Sequence, residues 1–492
     1  MKKINTFIIG TLAIACFLLL NSCSKSILKE KLYSQLAPGN FLTTNDGIRS
    51  LLQAAYTEEG QVSGQSAGKE VISMEELTTD IMYEYGGSDN RFAIQFINFT
   101  WDPSVSVIFN SMWSRPYRAI RNANTLLDNI AAAKISDDQK NEYIAEARFI
   151  RAISYYHLYM LFGPVPLRKS TKDSLQLSRA TKEGMESFIE SELQAAISVL
   201  PDPGKEEAYG RATNGAARAF LCKFYLNTRQ WQKCVDAAQQ VMDMHKYQLY
   251  PDYFKLFHVE NERNSEFIWV RQATPLDPGT MWPNRTLPPA FAKDPVTGLL
   301  FQNNFRNFGA QFTNQDGFYN SFDATDKRRT LMLSKYINTK GDTISLLNNN
   351  NNTRSLKYWP DPNAIAGANG NDIPEVRYAD ILLSRSEALN ELQGPNQESI
   401  DLINIIRERA GLADLSLSDI TSKDELRNHI LDERLWEFYS EGLRRQDLIR
   451  MDKFIQNAHD RGHANAKDYM KVFPIPQQAM DANPKLVQSP GY

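Results

Sequence analysis

The sequence predicts a mainly α-helical fold in which paired helices support a loop-rich region with minor β structure. Three segments, 107–131, 141–167 and 211–242, carry apolar residues at the spacing of amphipathic or buried helices. The third segment contains a four-residue break from Asn227 to Gln230 and has small residues on both sides of it. Helices that meet through small side chains can pack closely and antiparallel, as in a tetratricopeptide-like hairpin. We therefore expect a stack of helices.

The elements can be placed in chain order. Gly163-Pro164 ends the second helical segment, and Thr213 is suited to cap the first helix of the hairpin. From about residue 260 the content of Pro, Gly, Asn and aromatic residues rises and helical periodicity fades. Only short strands, such as Phe267 to Val270, are predicted there. Helical periodicity returns at about residue 375.

These changes predict one domain over residues 23–492. Its helical scaffold covers about 40–245 and 375–455, a loop-rich insert covers about 260–375, and an extended tail covers about 471–492. A loop region as long as this insert is usually functional or disordered.

The N-terminus predicts export and lipid attachment. Lys2 and Lys3 precede an almost wholly apolar run from Phe7 to Leu20, which is too short to span a bilayer permanently and is typical of a signal peptide over residues 1–22. The sequence Leu-Asn-Ser-Cys at 20–23 resembles a bacterial lipobox, so Cys23 is the predicted lipidation site. Two or three acyl chains there would anchor the protein durably. An ordinary secreted protein with a chance cysteine is the alternative.

Charge and cysteine content exclude two classes of protein. The net charge of −3 becomes −5 when Lys2 and Lys3 leave with the signal peptide, which gives no electrostatic reason to expect a nucleic-acid partner. Four cysteines are too few for a disulfide-rich scaffold. Cys222 and Cys234 could face each other across the helical hairpin, either as a disulfide or as two small buried apolar residues.

Several segments together resemble one protein family. In chain order they are AEARFIRAISYYHLYMLFGPVPL, RATNGAARAFL followed by Trp231, RYADILLSRSEALNE, IDLINIIRERAGL, ERLWEFYSEGLRRQDLIRM and the terminal PIPQQAMDANPKLVQSPGY. This order, behind a lipobox, is similar to that of the SusD/RagB family of outer-membrane nutrient-binding lipoproteins. The resemblance covers nearly the whole chain.

The resemblance implies a fold, a partner and a place in the cell. The fold would be an α-superhelix of about four tetratricopeptide-like pairs supporting a loop-rich ligand-binding region. The partner would be a SusC-like TonB-dependent β-barrel in the outer membrane, over which this lipid-anchored protein would sit on the cell exterior. It would capture a glycan without a cofactor and pass it to the barrel; RagB-like members bind peptides instead, and that alternative stays open.

Two motifs bear on catalysis. Residues 64–68 match the Gly-x-Ser-x-Gly pattern around a hydrolase nucleophile, here Ser66, but that motif needs a preceding strand and the preceding residues favour a helix. Glu433, Glu437 and Glu441 lie at four-residue steps on one helix face, and paired carboxylates can hydrolyse glycosides. Arginines on or near the same helix make an ion-pair network the simpler interpretation. We therefore expect no enzyme, with a secreted glycosidase as the less favoured alternative.

The histidines do not indicate a metal site. His459 and His463 are four residues apart, but the glutamate and third ligand of a zincin are missing from the pattern. Surface, capping or partly buried positions are the simpler interpretation, so no metal is predicted. The six histidines are His157, His245, His258, His429, His459 and His463.

Aromatic residues in loops are the predicted ligand contacts. Sugar rings can stack on Trp and Tyr, while Asn, Asp and Arg bind hydroxyl groups. For each aromatic residue, packing against the scaffold is the alternative. The early candidates, between two helices, are Tyr83, Tyr85, Asn90, Arg91 and Trp101, and those in the insert are Trp282, Phe318, Tyr319, Tyr358 and Trp359.

Overall fold

The computed structural model describes most of the chain after residue 40. The described ranges are 41–62, 75–84, 86–87, 90–276, 279–307, 311–347 and 350–492. The predicted signal peptide, Cys23, Ser66 and Tyr85 lie outside them. Half of the chain is helical and 8% is strand, which confirms the mainly α class.

Two of the three long periodic segments form the longest helices, and the third forms the predicted hairpin. The described ranges contain fifteen α-helices. They are α1 Asn45–Val62, α2 Asn90–Ile97, α3 Ser106–Asn129, α4 Asp137–Phe162, α5 Lys182–Ile197, α6 Asn214–Asn227, α7 Trp231–Met242, α8 Trp282–Thr286, α9 Asp316–Ser321, α10 Tyr378–Gln393, α11 Gln397–Ala410, α12 Lys423–Phe438, α13 Arg444–Arg450, α14 Phe454–Asp460 and α15 Gln477–Ala482.

Local signals explain where several helices begin and end. The side chains of Ser136, Thr181 and Thr213 each accept a hydrogen bond from a backbone N–H in the first turn of α4, α5 and α6. The predicted cap at Thr213 is thereby confirmed. Gly163 follows α4 with φ 70° and Gly411 follows α11 with φ 80°, conformations that glycine adopts without a steric penalty.

Helices adjacent in sequence pack against each other. Contacts run from α3 to α4, then through α5 and α6 to α7, and from α7 across the insert to α10 and α11. The hairpin of α6 and α7 has the predicted break between its helices, with the small buried residues Ala219 and Ala238 on its two arms. This arrangement gives the insert a continuous helical support.

The insert returns to the scaffold close to where it leaves. Strand β2 (Phe267–Arg271) pairs antiparallel with β9 (Ile373–Arg377), so that Phe267 lies opposite Arg377 and Arg271 opposite Ile373. The prediction of a strand at 267–270 is confirmed. The other strands are β1 Met82–Tyr83, β3 Phe291–Lys293, β4 Thr313–Asn314, β5 Met332–Leu333, β6 Lys335–Asn338, β7 Thr343–Ser345 and β8 Arg354–Ser355.

Within the described ranges, the strands form four small antiparallel sheets: β1–β4, β2–β9, β3–β6–β7 and β5–β8. A small apolar cluster, including Phe291, Phe305 and Tyr336, lies within the insert, while the main core runs through the helices. Trp359 packs against both clusters. The insert therefore has its own apolar centre and is joined to the scaffold core.

The C-terminal tail is not extended throughout, because α15 interrupts it. Pro476 precedes this helix and its carbonyl accepts hydrogen bonds from the N–H groups of Ala479 and Met480. Among the helices of the described residues, none combines the length and apolar character needed to cross a membrane.

Candidate ligand-binding site

Contacts join four segments that are distant in sequence, and we call the region that they form the loop face. It comprises the described residues of 82–91, 276–285, 306–313 and 365–369. The pairing of β1 with β4 joins the first and third segments: Tyr83 lies opposite Thr313, whose hydroxyl donates a 3.0 Å hydrogen bond to the Tyr83 carbonyl oxygen. The pairing brings the predicted Tyr83 to the edge of the insert.

The backbone at Gly87 makes a second close approach between the first and third segments. Gly87 has φ +81°, and a Cβ atom there would lie 3.2 Å from Cγ of Gln311. The backbone thus lies directly on the Gln311 side chain, and a larger residue would be both strained and crowded.

An aromatic stack supports the loop face from within. The rings of Trp282 and Phe312 stack with centroids 4.9 Å apart, and the Phe312 N–H donates to the Arg285 carbonyl oxygen at 3.1 Å. Trp282 is fully buried, and the Arg285 guanidinium lies 5.6 Å from the Phe312 ring centre. This stack joins the second and third segments.

A tight turn adds the fourth segment. Ile365 and Ala368 exchange two backbone hydrogen bonds of 3.0 and 2.9 Å, and Asn284 Nδ2 donates to the Gly367 carbonyl oxygen at 2.5 Å. A Cβ atom at Gly367, where φ is +90°, would lie 2.4 Å from Cγ of Arg306. Only glycine fits this close approach.

The loop face offers polar and apolar groups together. Arg91 and Arg306 are exposed and Tyr83 is half-buried, while Leu276 and Ile365 are 75% and 51% exposed. Guanidinium groups donate hydrogen bonds to hydroxyl oxygens, and the apolar side chains can cover C–H surfaces. Such a mixture suits an extended ligand that carries both polar groups and C–H surfaces.

Family comparisons cover the described chain almost continuously. Residues 41–226 match the family described as "Starch-binding associating with outer membrane", and residues 226–492 match the one described as "SusD family". The second match alone spans more than half of the chain. The chain belongs to the SusD family.

Individual SusD-like proteins are similar over nearly their full lengths. SusD-like protein P25 of Formosa agariphila is 26% identical, with 99% of this chain and 98% of the relative covered. The starch-binding protein SusD of Bacteroides thetaiotaomicron is 24% identical, with 88% and 87% covered. A solved structure named as a laminarin-binding SusD-like protein superposes with a TM-score of 0.77 at 24% identity, covering 92% of this chain and all of that one; this likeness shows the shared fold.

In this SusD-family chain, five of the eight candidate aromatic residues are buried, so the alternative of packing against the scaffold describes their surroundings. Large rings are stabilised by burial, at about 25 cal/mol per Å² of apolar surface, and Phe318, for example, lies 5.5 Å from the Tyr439 ring. Whether any of the five contacts a ligand stays a prediction. The buried residues, each at most 7% exposed, are Trp101, Trp282, Phe318, Tyr319 and Tyr358.

The other predicted residues are spread over different surroundings. Tyr83, Asn90 and Trp359 are half-buried and Arg91 is exposed. Trp359 lies outside the loop face segments, where His258 stacks on it at 4.9 Å and Phe254 packs edge-on at 5.1 Å.

Sequence reasoning missed several residues of the loop face. They come from segments without helical or strand periodicity, so no pattern linked them. The Asn-, Gly- and Ala-rich run over 363–371 is typical of tight turns and was the available signal for one segment. The missed residues are Leu276, Arg285, Arg306, Gln311 and Ile365.

The three glutamates of α12 and the turn after it belong to a buried ion-pair network. Glu437 Oε1 lies 2.5 Å from Arg377 Nη1 and also pairs with Arg409, while its Oε2 lies 3.2 Å from Arg328 Nη1. Glu433 Oε1 lies 2.6 Å from the same Arg328 nitrogen. The arginines hold the pKa of the Glu437 carboxyl far below its usual value, against the opposing effect of burial.

The same network fastens the insert to the scaffold. Lys357, in the insert, lies 2.5 Å from Glu441 Oε1, and burial lowers the pKa of this lysine to about 8. Arg377 at the end of β9 contacts Glu441 at 2.8 Å and Glu266 at 2.6 Å. All of these side chains are buried, so the arrangement is that of a structural network, as the sequence predicted, and not of an open catalytic cleft.

His157 lies between two carboxylates. Its Nδ1 is 3.4 Å from Glu59 Oε1 and its Nε2 is 3.7 Å from Glu375 Oε2. Burial lowers the pKa of His157 to about 4 and raises that of Glu59 to about 8, so at neutral pH both groups are uncharged.

In the part of the chain that the structure covers, no group of three or more His, Cys, Asp or Glu side chains is arranged to hold a metal ion.

Proposed function

We propose that this chain is a lipid-anchored outer-membrane protein that binds an oligosaccharide at the loop face and passes it to a SusC-like TonB-dependent transporter. The observation that carries the proposal is the pair of family matches over residues 41–492, one of them to starch-binding proteins associated with the outer membrane. The names of the relatives, which include starch-binding and laminarin-binding proteins, support a glycan as the ligand class.

The chemistry of the loop face supports a glycan. An oligosaccharide presents hydroxyl groups at its edges and C–H groups on its ring faces. Arg91 and Arg306 can donate to the hydroxyl oxygens, and Tyr83, Leu276 and Ile365 can cover the ring faces.

The fold supports a binding role that leaves the ligand chemically unchanged. A stack of helices is rigid, and loops placed on it can vary in ligand choice without disturbing the support. Attachment to the membrane through Cys23, together with docking on the barrel, would raise the local concentration of captured ligand at the pore.

Calorimetric titration of the full chain in detergent with maltooligosaccharides and laminarin oligosaccharides tests the ligand class. We expect saturable binding to at least one of the two and no change in glycan length after prolonged incubation. Arg121→Ala, which alters an exposed arginine on α3 outside the loop face, serves as the matched control for loop-face variants. Binding to a peptide mixture but to neither glycan would replace the proposal by the peptide alternative.

Affinity purification of the full chain from outer membranes tests the transporter partnership. We expect a TonB-dependent β-barrel to copurify in about equal amount. Recovery of the protein without any barrel, under conditions that keep other outer-membrane complexes intact, would overturn this half of the proposal and leave the glycan-binding half standing.

A further inference from the structure

Two cysteines face each other inside the helical hairpin of α6 and α7. Cys222 lies on α6 and Cys234 on α7, twelve residues apart in sequence, with their Sγ atoms 3.8 Å apart. Both side chains are fully buried. A disulfide needs an S–S distance of about 2.05 Å, so the sulfur atoms would have to approach by less than 2 Å.

No other cysteine competes with Cys222 and Cys234 for disulfide formation on the proposed export route. The chain has four cysteines, Cys16, Cys23, Cys222 and Cys234. On the proposed export route the first is removed with the signal peptide and the second carries the lipid. The two remaining thiols are those that the hairpin brings into contact.

We propose that Cys222 and Cys234 become a disulfide when the exported chain folds. The bond would close a short loop across the hairpin. Cross-linking a loop of about fifteen residues reduces the entropy of the unfolded chain and favours the folded state. This inference rests on the export part of the proposed function, because disulfides form in oxidising compartments outside the cytoplasm.

The reaction needs an external oxidant, which we assign to a thioredoxin-like protein carrying a reactive disulfide. One cysteine thiolate attacks that disulfide and forms a mixed disulfide; the other thiolate then displaces the oxidant and closes the Cys222–Cys234 bond. The two thiols lose two protons and two electrons in total, and the oxidant leaves as a dithiol.

The packing of α10 on the hairpin indicates at which stage of folding the Cys222–Cys234 bond must form. Cys234 Sγ lies 3.8 Å from the Ser384 carbonyl oxygen of α10, which covers it. Burial also raises the pKa of the Cys234 thiol well above its usual value, so the folded chain holds it protonated and unreactive. The bond therefore forms while the hairpin assembles, before α10 packs on it.

Mass spectrometry of the full chain, extracted from outer membranes in detergent, tests the proposal. The protein is unfolded in denaturant with excess maleimide and without reductant, then digested with trypsin. We expect the peptides Ala219–Lys223 and Cys234–Lys246 to appear linked to each other, and to appear separately and labelled only after reduction. The Cys222→Ala variant, which leaves one thiol, should show labelled Cys234 in both conditions.

A second sample separates this inference from the export proposal. Purified full chain is refolded from denaturant in a glutathione buffer that favours disulfides, so its oxidation does not depend on where the cell places it. We expect the same linked peptides and a melting temperature that falls by a few degrees on reduction, whereas the Cys222→Ala/Cys234→Ala variant should not respond to reductant. Full labelling of both cysteines without reductant in the refolded sample would overturn the disulfide whatever the localisation.

Discussion

The indole Nε1 of Trp101 donates a 2.9 Å hydrogen bond to the phenol oxygen of Tyr492, the last residue of the sequence. The Tyr492 hydroxyl in turn donates to the Val472 carbonyl oxygen at 2.8 Å. The Trp101 ring also lies 5.0 Å from Phe99 and 5.3 Å from Phe473. Trp101 thus joins the start of the helical scaffold to the end of the chain.

This position predicts a large stability effect for Trp101→Ala. Removing a buried tryptophan leaves a cavity, so we expect the free energy of unfolding to fall by about 3–5 kcal/mol in a denaturant titration. Tyr492→Phe removes only the hydroxyl and should cost about 1 kcal/mol. A Trp101→Ala protein of normal stability that binds glycan weakly would instead show that the ring contacts ligand.

Glu437→Gln should destabilise the protein strongly. The substitution keeps the shape of the side chain but leaves Arg377 and Arg409 without its charge in a buried site, which costs about 3–5 kcal/mol. Glu398→Gln is the matched control, since Glu398 pairs with Arg385 but is half exposed and should cost at most about 1 kcal/mol. Chemical denaturation measures both, and equal effects would contradict the structural importance of the network.

The stability of the protein should depend on the protonation of Glu59. Its pKa is about 8 in the folded chain and near 4.5 when exposed. Between these values the unfolded chain releases the proton that the folded chain keeps, so stability falls as pH rises and this contribution is lost above about pH 8. Comparing pH 6.5 with pH 8.5, we expect wild type to lose about 2 kcal/mol more than Glu59→Gln.

The His157→Gln variant provides the control for that comparison. Because the folded-state pKa of His157 is about 4, below the value of 6.5 for an exposed histidine, its effect on stability is confined to lower pH. There the unfolded chain gains a proton first, and stability falls as pH decreases from about 6.5 to 4. Parallel curves for wild type and Glu59→Gln above pH 6.5 would contradict the assignment to Glu59.

Arg91→Ala should weaken glycan binding without unfolding the protein. The guanidinium of Arg91 is exposed and lies 4.4 Å from the Phe92 ring centre, so its loss leaves no buried charge. One lost charged hydrogen bond is worth about 1.5–3 kcal/mol, which corresponds to at least a tenfold rise in Kd. The control Arg121→Ala should bind as wild type, and a tenfold loss in that variant as well would argue against the loop face as the site.

Cys23→Ser should abolish lipid attachment. Serine has no thiol to carry the diacylglycerol, so the chain should lose labelled palmitate and keep only the membrane association that docking on the barrel provides. The Cys222→Ala variant should stay in the membrane and keep the label. Incorporation of palmitate into Cys23→Ser protein would show that another residue carries the lipid.

The positions of the main helices could be predicted because helix formation depends on residues three or four apart. The apolar spacing over 107–131 corresponds to α3, Gly163 ends α4, and Thr213 caps α6. The strand at 267–270 was predictable for the same reason, since strand alternation is also local. Family membership followed from the order of such local segments along the chain.

The loop face and the exposure of the aromatics were decided only by tertiary structure. Trp101 follows a short helix and Trp359 follows a loop. Trp101 is covered by Phe473 and Tyr492 from the other end of the chain, whereas Trp359 is half-buried. Likewise, Arg377 and Glu437 are sixty residues apart and meet only when the insert closes on α12. Local spacing determines which residues become helical, whereas burial and ion pairing depend on which distant segments the packed core brings together.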